Sequence, residues 1–427
     1  MANTINNVKD VGSIISTLAA GMLADEFQFI KTIDKEPESS FGKTNGYNNG
    51  DTITINKPAR FTMGTTADIT STIQDVTEEK ITMALDKTRN IAVNLTSAEI
   101  ATDLSLASWA ERILKPAMSR LAQGIESECL ILAKDATYNS VGTGGSTVFD
   151  MDTMLAAGQK LQETLVPTQD DLYALLNPAA SRSAVNARKG LFQSNDEISK
   201  QYKKGVMGVG DGFTYLRNNL LPTHTNGNDI VFEVRTTVST EGQSTLVVEA
   251  LTTTTGTVKK GTVFTIGAVY GVHPIAKVST GQLQQFVNPQ TRQSTGSLQQ
   301  FVVTADATAD GSGYATLSVS PAFYTSTSLG LQNIDAFPVD GAAITPVGGV
   351  SSAYTQNLAY AKQAFRFVSV PLMKPDGVHM ASQSTVNGIS VRAIQAYQTL
   401  TDKMVLRLDV LYGFAAVRPE WACRITA

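Results

Sequence analysis

Apolar residues recur at helical spacing in some stretches of this 427-residue chain and alternate with polar ones in others. Val8, Val11, Ile15, Leu18 and Met22 share one face at helical spacing and predict an amphipathic helix over residues 8–31. No core-like segment precedes it, so it docks either on another chain or on its own domain. Asn45-Gly46 and Asn49-Gly50 are turn dipeptides, because both residue types tolerate positive φ. Thr52 to Ile55 alternates threonine and isoleucine, and a second alternating stretch runs from Ile81 to Leu95. Together they predict a long two-stranded arm, with too little core to stand alone.

The strongest helical period covers 97–135, through Leu106, Trp109, Ile113, Met118, Leu121, Ile125, Cys129 and Leu132. Pro116 lacks a backbone donor and clashes with the preceding turn, so a kink or restart is expected there. A second helix is expected over 151–165, then a short buried strand at 172–176 and a helix opened by Asn177-Pro178. Residues 205–222 read as strand and turn. Residues 227–350 change character: rich in Thr, Ser, Gly, Val and Gln, without helical period, they predict a small all-β barrel or sandwich. A hairpin in it should turn near Asp310-Gly311. The mixed pattern resumes near Gln356 and closes with strands at 389–397, 404–411 and 414–425. Within the β module the chain repeats itself: 272–286 and 287–301 are fifteen residues each with nine identities. Two copies are too few for a solenoid, so one copy is expected to add a β-excursion at the module's periphery.

Composition narrows the function. Charged residues are 17% of the chain and the net charge is −4. A low-charge surface suits a subunit that meets many neighbours, since desolvating charge is costly. No run of Lys or Arg exceeds two, which argues against a dedicated nucleic-acid binder. Cys129 and Cys423 are expected to be reduced and buried. No signal-peptide pattern and no run of about 18 apolar residues occurs, so a soluble cytoplasmic product without membrane contact is expected.

Chemistry is sparse. GKT at 42–44 resembles the tail of a phosphate loop, but Pro37 stands where the loop needs glycine. GVMGVGDG at 205–212 lacks dinucleotide spacing. His224, His273 and His379 are far apart and have no ligand-spaced partners. Glu78-Glu79 and Asp170-Asp171 read as solvated faces. No catalytic residue, cofactor or metal site is expected.

Six phrases carry a resemblance: GDTITINKPARF (50–61), RILKPAMSRLAQGIESE (112–128), VMGVGDGFTYLRNNLLPTHT (206–225), STGSLQQFVVTADATADGSGYATLSVSPA (294–322), NLAYAKQAFRFVSVPLMKP (357–375) and VLRLDVLYGFAAVRPEWACRI (405–425). In that order they resemble the major coat proteins of tailed phages, in the short-tailed branch with an inserted β-domain. The resemblance implies an α+β chain with the Hong Kong 97-type capsid fold. Its parts would be an N-terminal helical arm (1–40), an extended β-arm with peripheral strands (41–96), a spine helix (97–150), the first part of the axial domain (151–226), the inserted all-β domain (227–350), and the return with closing strands (351–427).

It further implies self-assembly as pentamers and hexamers into an icosahedral shell around double-stranded DNA, guided by a scaffolding protein and started at a portal. The location would be the virion capsid, with assembly in the host bacterial cytoplasm. Intersubunit contacts would fall on Val11, Ile15, Leu18, Ile53, Ile55 and Phe61, and scaffold contacts on Asp10, Asp25 and Glu26. The alternatives are a β-rich surface or adhesive binding protein and an enzyme with a divergent site.

Overall fold

The computed structural model describes residues 11–35, 50–56, 70, 73, 80–96, 110–142, 144, 150–164, 166–167, 171–188, 208–270, 298–325, 332–334, 336–398 and 403–426. These form two compact units, one built from 1–55, 81–129 and 365–415, the other from 56–80, 130–364 and 416–427.

The first unit opens with α1 (Val11–Glu26) and a one-turn α2 (Phe29–Thr32). The single helix expected over 8–31 is therefore two. The reason is a distant carboxylate: Glu126 accepts from Gln28 N and Phe29 N, both at 2.9 Å, and so takes donors that a continuing helix would use. The buried face of α1 also differs from the expected stripe. Ile15, Ser16, Ala19, Ala20, Leu23 and Ala24 are buried, whereas Leu18 is 39% exposed. Small residues let the helix lie close on its own sheet, and Ser382 Oγ donates to Ser16 Oγ at 2.7 Å.

That six-stranded sheet comprises β1 (Asp34–Lys35), β4 (Lys87–Thr96), β19 (Phe365–Val370), β20 (Met380–Val386), β21 (Ile389–Gln398) and β22 (Lys403–Ala416). β2 (Thr52–Asn56) and β3 (Lys80–Ala84) pair as a separate two-stranded sheet. The alternating stretch 81–95 is thus two strands. It breaks at Leu85-Asp86, where Leu85 N donates to Asp51 O and Gly50 N to Leu85 O, and β4 goes to β22. β22 runs through Phe414, where a turn was expected after Leu411. Gly413 allows this: a Cβ there would meet Ala84 O at 2.5 Å, so glycine marks close backbone approach rather than a turn. Phe29, Phe365 and Phe414 pack their rings at 5.7–6.2 Å in this core.

A π-helical turn (Ala110–Leu114) passes without a break into α3 (Lys115–Ala136), so the helix type changes just before Pro116, where a kink or restart is expected from the sequence. Met118, Leu121, Ile125 and Cys129 are buried; Leu106 and Trp109 lie outside the described residues.

The second unit holds a seven-stranded sheet of β5 (Ser140–Val141), β6 (Leu172–Leu176), β7 (Val209–Gly210), β8 (Phe213–Arg217), β9 (Thr223–Thr225), β18 (Ala353–Ala361) and β23 (Ala422–Thr426). α4 (Met151–Glu163) packs on β23, and α5 (Pro178–Arg188) follows β6. Both helices start on side-chain caps: Asp150 accepts from Thr153 N at 2.9 Å, and Asn177 Oδ1 from Ala180 N at 2.6 Å.

Between β9 and β18 the chain builds a closed barrel. Its order is β10 (Phe232–Val234), β11 (Gln243–Glu249), β16 (Ala315–Phe323), β14 (Leu298–Val303), β13 (Val263–Tyr270) and β17 (Ala343–Pro346). β12 (Thr257–Val258) and β15 (Ala307–Thr308) form a small ladder beside it. Alternating inward residues such as Leu246, Val248, Phe264, Ile266, Leu317 and Val319 make an apolar interior, and among the described residues no buried titratable group belongs to it. Asp310 Oδ1 accepts from Ser312 N and Tyr314 N, closing the turn expected there.

The duplicated segment lies mostly outside the described residues, but its end does not. Leu298 to Phe301 closes the second copy and forms the first four of the six residues of β14, with Phe301 in the barrel core and Leu298 the register partner of Tyr270. That part of the repeat belongs to the barrel, and the excursion expected of one copy falls outside the described residues.

Candidate functional site

The residues expected to meet other subunits scatter in exposure. On β2 the burial alternates, with Ile53 half-buried and Ile55 7% exposed, so both isoleucines share the covered side. Ile15 is buried within its own unit, whereas Leu18 is open. Asp25 and Glu26 are exposed at the end of α1, and Ser119 Oγ donates to Glu26 at 3.4 Å. Val11 lies at the start of α1; Asp10 and Phe61 lie outside the described residues, as do GKT 42–44, Glu78-Glu79, Asp170 and His273.

A different group is concentrated, and it lies at the root of the barrel within the second unit. Arg424, on β23, is 1% exposed. Its Nε donates to Thr137 O at 2.7 Å, just past the end of α3, and its Nη1 to Gly261 O at 2.6 Å, in the turn before β13. A cation at a helix C-terminus meets carbonyls the helix leaves unpaired. Burial, opposed by Asp135, pulls the guanidinium down to about 10.

Around it, Asp135 is held by Lys134 Nζ at 2.6 Å and Lys260 Nζ at 3.4 Å. Lys134 Nζ lies 3.4 Å from His224 Nδ1, and Thr262 Oγ1 lies 3.4 Å from His224 Nε2. Burial, then the charges of Lys134 and Arg424, push His224 down to about 4, which keeps the ring neutral at pH 7. Gly261 has φ +88°, and a Cβ on it would sit 2.8 Å from Asp135 Oδ1 and 2.9 Å from Lys134 Nζ.

Three more contacts complete the root. The Gln300 amide, on β14, accepts from Ser140 N and donates to Ser140 O, both at 2.8 Å, and so imitates a strand neighbour. Asn226 donates to Val347 O and Gly349 O, while Tyr354 Oη donates to Val347 O at 2.8 Å. These bonds join the segments entering and leaving the barrel. Tyr138, Val263 and Val302 form a small apolar patch alongside. At Gly227 a Cβ would lie 1.8 Å from Thr257 O, so no side chain fits.

The sequence spacing does not find this group. Its members come from positions 134–140, 224–226, 260–262, 300, 354 and 424, and only folding brings them together. The one local signal is an arginine inside the apolar strand ACRIT.

The arrangement fastens elements and offers no reaction. Cys129 and Cys423 are free and buried; burial raises both thiols, Cys423 to about 12, so neither is a ready nucleophile. Tyr412 donates to Glu128 and its phenol is raised by burial and that bond. His379 is exposed and His224 is a buried neutral ring. Among the described residues no three potential ligands gather to hold a metal, and no helix is long and apolar enough to cross a membrane.

Comparison with known proteins assigns the chain. No curated protein sequence matches it. Solved structures similar to it include one from Mycobacterium phage Che8 (11% identity, 93% of this chain and 90% of that one, TM-score 0.43), the capsid of cyanophage P-SCSP1u (11%, 90% and 85%, 0.42) and the capsid of Ralstonia phage GP4 (7%, 92% and 86%, 0.43). At these scores the likeness carries no argument of its own. The family model described as "P22 coat protein - gene protein 5" matches residues 40–424. The chain therefore belongs to the P22 coat protein family, a structural major capsid protein of a tailed phage and not an enzyme.

Proposed function

We propose that this coat protein has the Hong Kong 97-type shell fold and assembles as pentamers and hexamers into an icosahedral capsid around double-stranded DNA. The match over residues 40–424 carries this reading. In it, the barrel is the branch's inserted domain, α3 the spine helix, and β2–β3 the extended arm. Assembly takes place in the host bacterial cytoplasm, guided by a scaffolding protein and begun at a portal. The reading displaces the adhesive surface protein, whose support was the Thr/Gly-rich β module alone.

The β2–β3 pair supports an intersubunit role, because two strands need a further surface for stability. Ile53 and Phe61 are the proposed contacts of that arm, with Ile55, 7% exposed, reaching a neighbour only if its own covering opens; Leu18, open on α1, is the contact of the N-terminal arm. Val11 stays a candidate beside it, whereas Ile15 meets a neighbour only if α1 lifts from its sheet. Asp10, Asp25 and Glu26 are the candidate scaffold contacts. The arm is tested with Ile53→Asp: the monomer keeps its circular dichroism and melting profile, and shell yield under assembly conditions falls at least tenfold. Normal shells from that variant would remove the arm from the interface.

A further inference from the structure

We propose that His224 is an acid-sensitive release for the barrel: a proton on its ring opens the fastening to α3 and β23 while the barrel's own interior stays folded. The geometry gives the reason. His224 stands between Lys134 Nζ on Nδ1 and Thr262 Oγ1 on Nε2, each at 3.4 Å. The groups facing it are Lys134 and Asp135 from α3, Arg424 from β23, Tyr354 from β18, Thr262 from the turn before β13, and Asn226 on its own segment. Among the described residues Asp135 is the one carboxylate whose charge reaches both His224 and Arg424, and it already holds Lys134 and Lys260.

A protonated ring therefore adds a positive charge beside two buried cations, Lys134 and Arg424, which share one carboxylate with the exposed Lys260. Its 3.4 Å neighbour Lys134 cannot accept the new proton, because an ammonium has no acceptor. Arg424 Nη2 is itself a buried donor without a hydrogen-bond partner, and Asp135 Oδ1, the carboxylate oxygen nearest to hand, is already ion-paired with Lys134 at 2.6 Å, so a further donor competes for one carboxylate. The added repulsion acts where the barrel is attached: Lys260, Gly261 and Thr262 belong to the barrel, and Lys134, Thr137 and Arg424 to the frame. The barrel interior, by contrast, has no buried titratable group among the described residues, so acid in this range should leave it intact.

The sign follows from the lowered ring. The unfolded or released state binds the proton at the ordinary value of 6.5, and the closed state only near 4. Closure is thus favoured above 6.5 and weakens as pH falls toward 4.

The test is hydrogen exchange with mass spectrometry on the full-length monomer at pH 7, 6, 5 and 4, corrected for intrinsic exchange. Peptides covering 223–227, 258–263 and 347–355 should exchange at least tenfold faster at pH 4 than at pH 7. Peptides from β11 and β16 should keep their protection. His224→Gln, neutral at every pH, should abolish the rise. Should that variant fold poorly, exchange at the histidine ring carbon of the wild-type chain reports the ring directly, and a midpoint near 4 is expected. Simultaneous loss of root and barrel protection, an unchanged rise in His224→Gln, or a ring midpoint near 6.5 would each overturn the proposal.

Discussion

The barrel's interior and its root are held by different physics. Inside, Phe264, Phe301 and Phe323 pack with ring centroids at 4.9–5.9 Å among aliphatic neighbours. Such a core depends on volume and is indifferent to pH. At the root, a buried arginine, a two-lysine carboxylate and a neutral histidine join strands and a helix end by directed bonds. Such contacts depend on partners, and losing one partner costs more than the contact itself contributes. The same module is therefore robust within and conditional at its attachment.

The largest expected effect breaks the interior. Phe301→Ala removes a ring that touches two others and should cost about 4 kcal/mol, read from denaturant unfolding, with no pH dependence of the difference. Next is Arg424→Met. It keeps the side chain's bulk but orphans Thr137 O and Gly261 O, and should cost about 3 kcal/mol, with exchange rising at the root before the barrel. Lowering pH from 6.5 to 4 should weaken the wild-type root by about 2 kcal/mol through His224, seen as the pH dependence of its opening free energy. Gln300→Leu leaves the Ser140 backbone pair unmet and should cost about 1–2 kcal/mol by the same measurement. Equal responses of interior and root to acid would erase the distinction.

What the sequence made legible follows periodicity. The α3 stripe, the Asn177-Pro178 helix start and the β module all rest on local pattern, and each local preference agrees with the fold. What it hid depends on distant partners. Nothing near Gln28 announces that Glu126 will take its backbone N–H. Gly413 reads as a turn until Ala84 O is beside it. The apolar stripe on α1 runs through large residues, while alanines and Ser16 make the real contact face. The root was invisible for the same reason, since its members are polar residues in ordinary local settings. Family membership was legible because an ordered set of phrases survives where single motifs are weak.

The central claim is that this chain builds shells. Sedimentation and negative-stain microscopy of the purified protein, expressed with and without its scaffolding protein, test it most directly. Closed particles of uniform diameter in the scaffolded preparation are the predicted result. A species that stays small under both conditions, with no particles on the grid, would contradict it.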